Sequence, residues 1–328
     1  MNFAISSHRA VVVAALAVSV LAARDLAAQA SRVQLVLPPS TWRLTVSGDL
    51  LPAGDVRATT QRPAIHASSI ETSRIALRVG APVWKRGLYR TVIANEFAVE
   101  RIGFTYGSDV RPAGVLQLSA TRGPSTLQTV QHDLLVSQGL GAKWRLSGIL
   151  QHGFFTDGST AVTGSAYRAA GGAFLTRVYR PTFQIGGGVL AINVAPYVIP
   201  TVRILHVGAR WRSDVLIPRA ETWYDVGHGV EMGGVLRFLA NRWWVDQQAF
   251  GQAQINRTTY SQATLGPALN IKIGAHGLAQ IETGAALRRM LVDGTAPGSL
   301  PGSPIVPFAN RFDAGVGGFL RVTGRATF

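Results

Sequence analysis

The chain has 328 residues, no cysteine, 36 glycines and a formal net charge of +15, although only 15% of its residues are charged. Without cysteine, a disulfide scaffold, a thiol nucleophile and a cysteine-ligated metal are excluded. The cations are almost all arginine and are spread along the chain without a basic helix or an RNA-binding motif. This distribution argues against a nucleic-acid partner.

The N-terminal region has the layout of a secretory signal peptide. The charged pair His8-Arg9 precedes an apolar run at 10–23, and small residues follow up to Ala28-Gln29-Ala30. The run is too short to span a bilayer comfortably, and the A-x-A ending is typical of a cleavage site. We therefore predict a cleaved signal peptide at 1–30 and one mature domain at 31–328.

Beyond this region, apolar and polar residues alternate with a period of two, which is typical of strands with one apolar and one wet face. In the segment 70–81, Ile75, Leu77 and Val79 alternate with Arg74 and Arg78. Segments with such patterns and turn residues between them predict strands at 42–48, 70–81, 89–104, 130–140, 144–154, 168–179, 182–192, 202–212, 215–224, 229–239, 243–255, 258–274, 278–289 and 312–328.

The connections alternate between tight and loose. Tight turns are predicted at 85–87, 141–143, 180–181, 213–214, 240–242 and 275–277, while the three longest connections (49–69, 107–127 and 291–310) all fall at the opposite end. Bacterial outer-membrane barrels combine short periplasmic turns with longer outer loops and an even number of strands. The pattern therefore predicts an all-β, antiparallel, up-and-down transmembrane barrel of about 14 strands, with 12 as the alternative.

The last strand resembles the insertion signal of bacterial outer-membrane β-barrels, which have apolar alternate positions and a terminal Phe. Leu320, Val322 and Phe328 belong to the apolar set, and Arg321 and Thr323 to the other. We expect the apolar set to face lipid and the polar set to face the lumen.

The positions of the tryptophans and of the charged residues add detail to this predicted topology. Tryptophan favours the membrane interface, and six lie near predicted periplasmic strand ends: Trp42, Trp84, Trp144, Trp211, Trp243 and Trp244. Projecting the alternation inward predicts lumen charges at Arg74, Arg78, Arg145, Arg210, Arg219, Glu221, Arg237, Asp246, Glu282 and Arg321. Same-face pairs such as Arg219 with Glu221 and Glu231 with Arg237 favour ion pairs that brace the barrel, whereas unpaired arginine would favour an anion-selecting lumen.

No residue pattern predicts a catalytic, cofactor-binding or metal-binding site. No pair of histidines has the helical i, i+4 spacing of a metalloprotease. Outer-membrane phospholipases and deacylases use a Ser/His pair, and Ser147 with His152 or His206 would be the candidates here. A lipid-acting enzyme therefore stays open as a weaker alternative.

The segment Val130–Asp246 resembles a family of bacterial outer-membrane β-barrel proteins without an assigned function. The similarity includes Val207-Gly208-Ala209-Arg210-Trp211, the stretch 216–224 and the turns before Trp144 and Trp243. The resemblance implies a β-barrel fold and an outer-membrane location, and it assigns no catalytic or ligand-binding residues.

Three functions follow from this reading, all in the bacterial outer membrane. The first is a porin-like channel for small solutes, with anion preference expected if the lumen is open. The second is a structural or adhesive barrel that acts through its outer loops, and the third is the lipid-acting enzyme. The expected partners are outer-membrane lipids and, during biogenesis, periplasmic chaperones and the barrel-assembly machinery. No cofactor or nucleic acid is expected, and the sequence leaves the oligomeric state open.

Overall fold

The computed structural model describes residues 41–58, 69–87, 91–107, 125–158, 164–180, 182–192, 197–216, 219–249, 253–294 and 309–328. The predicted signal peptide lies outside these residues. Helical structure within them is limited to one 3-10 turn, Gly164–Ala166. No helix in this part of the chain is long and apolar enough to cross a membrane.

The described residues form one sheet of strand segments. In chain order these are β1 (Arg43–Ala58), β2 (Ser69–Arg86), β3 (Thr91–Tyr106), β4 (Thr126–Leu140), β5 (Trp144–Thr156), β6 (Tyr167–Arg180), β7 (Phe183–Ile192), β8 (Tyr197–Val207), β9 (Trp211–Leu216), β10 (Arg219–Gly227), β11 (Val230–Ala249), β12 (Ala253–Ile273), β13 (Gly277–Gly294), β14 (Ala309–Ala314) and β15 (Gly317–Thr327).

The sheet closes on itself through its last strand. From β1 to β13, each segment pairs antiparallel with the next, and both β14 and β15 pair with β1 on one side and β13 on the other. The two segments are thus parts of one barrel strand, interrupted at Gly315 and Val316. The described residues form a closed antiparallel barrel of 14 strands, and the predicted fold is confirmed.

The two ends of the barrel differ in their connections. The residues 87–90, 141–143, 181–182, 208–210, 228–229 and 274–276 join strands at one end, which we call the tight-turn end. The start of β1 lies there too, since Phe328 N donates to Trp42 O at 3.0 Å. At the opposite end, the loop end, the longest connections are 107–125 and 295–308, followed by 59–68 and 157–166.

One of the tight turns shows how this end is built. His228 and Gly229 connect β10 to β11 with φ of 55° and 78°. Positive φ at both central residues defines the type I′ turn, whose twist matches that of the flanking strands.

Several predicted boundaries are wrong. The predicted strands 215–224 and 243–255 each span a connection between two strands, and the predicted link 256–257 lies within β12. β1 continues beyond Gly48 to Ala58, β8 turns at 208–210 instead of 213–214, and β11 runs through the predicted turn at 240–242. The polar residues that suggested turns are strand residues with partners inside the protein. Asp214, for example, accepts from Arg203 Nη2 at 2.8 Å, and Asn241 is buried.

Burial alternates along the wall with apolar side chains outside. Ile75, Phe97 and Val130 are exposed on the outer surface, whereas the neighbouring strand positions Arg78 and Glu96 are buried in the interior. A soluble barrel shows the opposite arrangement. An apolar outer band with a polar interior is the arrangement of transmembrane barrels.

Candidate functional site: the barrel interior

Ion pairs cross the interior from β3 to β15. Arg74 of β2 donates to Asp49 Oδ2 at 2.8 Å and to Glu100 Oε2 at 2.9 Å. Arg321 of β15 also binds Asp49, through Nε at 2.7 Å and Nη2 at 2.8 Å. One carboxylate therefore joins two arginines across the seam where β1 closes the barrel. The Asp49 side chain is only 1% exposed, so its charge depends on these two partners.

The same series continues from β15 to β10. Arg321 donates its third hydrogen bond to Glu282 at 3.1 Å. Glu282 also accepts from Arg237 Nε at 3.0 Å. Arg237 then lies 4.0 Å from Glu221, which accepts from Arg219 at 2.7 Å. We call the eight residues of this series the ion-pair chain: Glu100, Arg74, Asp49, Arg321, Glu282, Arg237, Glu221 and Arg219.

A second group of charges lies closer to the tight-turn end. Glu96 accepts from Arg78 at 2.8 Å and from Arg43, and Arg78 is 3.9 Å from Asp133. Across the barrel, Arg212 donates to Glu231 at 3.0 Å. Much of the interior charge is therefore paired.

The predicted lumen charges fall into three groups. Arg74, Arg78, Arg219, Glu221, Arg237, Glu282 and Arg321 face the interior as members of these pairs. Arg145 also faces inward, because its neighbours Trp144 and Leu146 are exposed outside. The prediction for Arg210 is wrong, since it lies exposed in the turn 208–210. The side chain of Asp246 lies outside the described residues.

Of the two predicted pairs, one is formed. Arg219 binds Glu221 at 2.7 Å, but Glu231 and Arg237 have other partners. Glu231 accepts from Arg212 and from Asn270 Nδ2 at 2.9 Å, while Arg237 binds Glu282. Sequence alternation places both residues on the inner face without showing which strands bring opposite charges together.

Asp49 was missed because β1 was predicted to end one residue before it. A signal was present in the alternation of Arg43, Thr45 and Ser47, which continues to Asp49 on the inner face. The long polar stretch that follows, up to about Ser69, suggested a loop instead. The strand continues into this stretch through a register shift between Leu51 and Gly54.

Three inward arginines stand out because they lack an acidic partner among the described residues: Arg145 and Arg325 near the tight turns, and the buried Arg289 in the loop half. Neither Arg145 nor Arg325 has a carboxylate of that part of the chain within 4.0 Å. Arg325 is exposed although Arg321 on the same strand face is buried, and it interacts electrostatically with Arg43, Arg219 and Arg237 as well as with Glu221. The tight-turn half of the interior is thus open to water and carries unpaired positive charge.

The loop half of the interior is buried and largely apolar, although it also holds Arg289, which donates to Pro52 O at 2.8 Å and to Ile70 O at 3.2 Å. Ten buried side chains from seven strands pack together there, and we call this cluster the apolar cap: Ile70, Ile102, Phe104, Leu127, Phe155, Leu239, Trp243, Val245, Tyr260 and Leu291. Trp243 is 0% exposed, donates Nε1 to Thr129 Oγ1 at 3.0 Å and meets Phe155 edge-on at a ring distance of 6.3 Å. Water has no access at these side chains.

The cap exists because the hairpin of β11 and β12 turns into the barrel. Consecutive residues of β12, from Thr258 to Thr264, are all buried, so both faces of the strand are covered. On β11, Trp244 forms a parallel bridge with Thr156 of β5 and accepts from Asp157 N at 3.2 Å. Strands that are far apart in barrel order therefore meet at the loop end.

The predicted interface tryptophans fall into two groups, one on the outer surface and one in the loop half of the barrel. Trp42, Trp84, Trp144 and Trp211 lie exposed on the outer surface near the tight-turn end. The prediction for Trp243 and Trp244 is wrong, because both lie in the loop half of β11. Arg177 lies 5.6 Å from the Trp144 ring, which adds a cation to this aromatic belt.

The belt also includes the turn residue Arg210. It donates Nη1 to Tyr224 Oη at 3.4 Å, which raises the arginine pKa, and the Trp211 ring lies 5.0 Å from that of Tyr224. The proposed insertion-signal residues Leu320, Val322 and Phe328 are 45%, 48% and 74% exposed outside. Their neighbour Arg321 is buried within, so this strand has the register expected from its alternation.

The candidate catalytic pair Ser147 and His152 is not brought together in the structure. Ser147 faces inward, whereas His152 lies between the exposed Leu150 and Phe154 on the outer face of the same strand. The two therefore cannot act as a catalytic pair. Groups of three or more His, Asp or Glu side chains that could hold a metal are absent from the part of the chain that the structure describes.

The closed antiparallel sheet and its apolar outer face define a transmembrane β-barrel of the bacterial outer-membrane type. Residues 117–292, which are 176 of the 328, match the family described as Domain of unknown function (DUF6268), and the chain belongs to that family. No curated protein sequence is significantly similar to this chain.

Several solved structures are similar in fold. An outer membrane channel from Pseudomonas putida F1 is 12% identical with a TM-score of 0.39, covering 92% of this chain and 100% of its own. The P. putida toluene transporter TodX is 9% identical with a TM-score of 0.38, covering 88% and 91%. A Pseudomonas aeruginosa FadL homologue is 9% identical with a TM-score of 0.30, covering 88% and 90%.

Proposed function

We propose that the protein is a channel of the bacterial outer membrane that favours small anions and is closed at rest by the apolar cap. The observation that carries this proposal is the contrast between two layers of the interior. The layer near the tight turns is wet and contains arginines without acidic partners. The layer near the loops is dry, so solutes pass only when the cap moves.

The wet layer supports the anion preference. Arg325 and Arg145 face a confined, water-accessible space, and the field of unpaired cations in such a space concentrates anions. The ion-pair chain contributes little to this field because its charges cancel locally. Salt weakens the effect, since the Debye length falls from about 30 Å at 0.01 M to about 3 Å at 1 M.

Reversal potential tests this preference. The refolded barrel is placed in a planar bilayer under a KCl gradient, and the zero-current potential is expected to show anion preference that fades at high salt. Replacing Arg145 and Arg325 with Gln should shift the potential towards cations. Arg177→Gln is the matched control, because it removes the same charge from the outer surface at the same end. Cation preference in the unaltered barrel would contradict the proposal.

The dry layer supports the closed resting state. The cap is held to β5 by one parallel bridge at Trp244 and by the packing of Trp243. Trp243→Ala should therefore raise the open probability in bilayer recordings, because it removes the largest side chain of the cap. Trp211→Ala, which removes an indole from the outer belt, is the control and should leave conductance unchanged.

A structural barrel is the second candidate, and the ion-pair chain favours it. Eight alternating charges that join β3, β2, β1, β15, β13, β11 and β10 brace the barrel whether or not solutes pass. If neither the unaltered barrel nor the Trp243→Ala variant conducts, while both migrate as folded barrels, the channel proposal fails and the structural function is the better one.

A further inference from the structure

We propose that the outer surface of the barrel binds a divalent transition-metal ion between His132 and His152. The two residues are direct partners on the adjacent strands β4 and β5. Their strand neighbours Val130 and Leu150 are exposed apolar residues, which places both imidazoles on the outer face. The site is therefore separate from the interior and does not depend on the proposed channel function.

The distance between the two rings suits metal binding. His132 Nδ1 lies 3.0 Å from His152 Nε2. With metal–imidazole bonds of 2.0–2.1 Å, this separation corresponds to an angle of about 94° at the ion. An angle near 90° between cis ligands is typical of tetragonal Cu²⁺ and Ni²⁺ sites. A tetrahedral Zn²⁺ site needs the nitrogens a few tenths of an ångström further apart.

Asn95 of β3 sets the tautomer of the first ring. Its Oδ1 lies 3.2 Å from His132 Nε2 and can only accept, so Nε2 carries the proton and Nδ1 presents a lone pair. That lone pair accepts from His152 Nε2–H in the metal-free protein. When a metal binds, the His152 proton leaves Nε2 and the ring is protonated at Nδ1 instead, so both imidazoles stay neutral. An oxygen that accepts from the far nitrogen of a ligand histidine is the usual outer support of metal sites.

The surroundings hold the rings and leave part of the ion accessible. Phe97 stacks on His132 at a ring distance of 4.6 Å, and Tyr167 lies 6.0 Å from His152. Tyr167 is the first residue of β6, at the loop end of the barrel. The pair thus lies towards the outer edge of the apolar band, where water can fill the remaining coordination positions.

Copper binding to the refolded barrel in detergent tests the proposal. The metal-free barrel is titrated with Cu²⁺ at neutral pH and followed by electron paramagnetic resonance. We expect one ion per barrel with a nitrogen hyperfine pattern from two imidazoles. His132→Gln and His152→Gln should each weaken binding at least 10-fold, whereas His206→Gln, which removes an exposed histidine from β8, should not.

The orienting residue gives a second readout. Asn95→Ala should weaken Cu²⁺ binding about 10- to 100-fold while the barrel stays folded, as loss of an outer support does in other metal sites. Asn95→Asp should restore or tighten binding, because a carboxylate makes the ring a stronger ligand. A purely structural histidine pair would show neither change.

Two results would overturn the proposal. One is a folded, unaltered barrel that shows no two-imidazole copper signal, which needs no variant to interpret. The other is an unchanged signal in the His132→Gln, His152→Gln double variant, checked for folding by its heat-dependent mobility.

Discussion

The two halves of the interior are built on the same strands but from different side chains. On β3, the inward residues change from Glu96 and Glu100 to Ile102 and Phe104. On β11, Arg237 of the wet half is followed by Leu239 and Trp243 of the dry half. β3 thus keeps its period of two while its inner face changes from charged to apolar, whereas on β11 both faces are buried from Leu239 to Asn241.

The boundary between the halves is where charge is most tightly paired. Asp49 and Arg321 are cross-strand partners, and the next inward residues towards the loops are Leu51 and Phe319, which pack together. A charge beside a dry region has little water to stabilise it, so it needs a counter-ion and hydrogen bonds. The comparison teaches that the ion-pair chain forms the edge of the wet half, where opposite charges compensate one another although Arg74 Nε is buried without a hydrogen-bond partner.

The largest effect should come from breaking the chain at this boundary. Glu282→Gln keeps the side-chain volume but leaves Arg237 and Arg321 without their shared carboxylate. Removing one partner of a buried ion pair costs about 3–5 kcal/mol. The free energy of unfolding, measured by urea titration with folded and unfolded barrels separated by electrophoretic mobility, should fall by that order.

Glu231→Gln is the control for this experiment. Its partner Arg212 has a side chain that is 42% exposed, so water replaces much of the lost interaction. A change of at most about 1 kcal/mol is expected. Equal losses for the two variants would show that the boundary is no drier than the tight-turn end.

The next largest effect on stability should come from a charge placed on the lipid-facing side of a strand. The comparison of the two interior halves depends on knowing which side chains face the interior and which face lipid. Leu320→Arg places a charge on the apolar outer band, which costs about 2–4 kcal/mol near the midplane of a bilayer. Thr323→Arg adds the same charge to the inner face in the wet half and should cost less. Both are measured by unfolding in lipid vesicles. A larger loss at Thr323 would mean that β15 has the opposite register, because a slip by one residue exchanges its faces.

A smaller loss of stability should come from removing the hydrogen bond between Trp243 and Thr129 in the dry half. Trp243→Phe keeps most of the apolar contact but removes the Nε1 donor to Thr129. The unfolding free energy should fall by about 1 kcal/mol, as for one lost hydrogen bond. Trp211→Phe removes an indole donor from the outer belt and should change stability little. If Thr129→Val in the Trp243→Phe background lowers stability further, the hydrogen bond is not what Trp243 contributes.

The sequence by itself determined the class of fold and the faces of most strands. Because successive side chains of a strand point to opposite sides, the alternation of Leu320, Arg321 and Val322 is enough to separate outside from inside. Turn residues such as Gly141 and Lys143 mark where the chain must reverse. These signals are local, so they survive without knowledge of the rest of the molecule.

Only the tertiary structure decided which inward residues meet. Asp49 and Arg321 are 272 residues apart, and their pairing depends on the register at which the barrel closes. The inward turn of the β11–β12 hairpin is also not evident from the local sequence. A tryptophan such as Trp243 is equally typical of a strand end at the membrane interface, so its position in the sequence does not show that it faces the interior.

The histidine pair shows the same limit on the outer surface. His132 and His152 are 20 residues apart, and the helical spacings that identify many metal sites do not apply to them. They become neighbours because the turn at 141–143 sets the register of β4 against β5. In a barrel, local alternation assigns each side chain to a face, and the register between strands assigns it a partner.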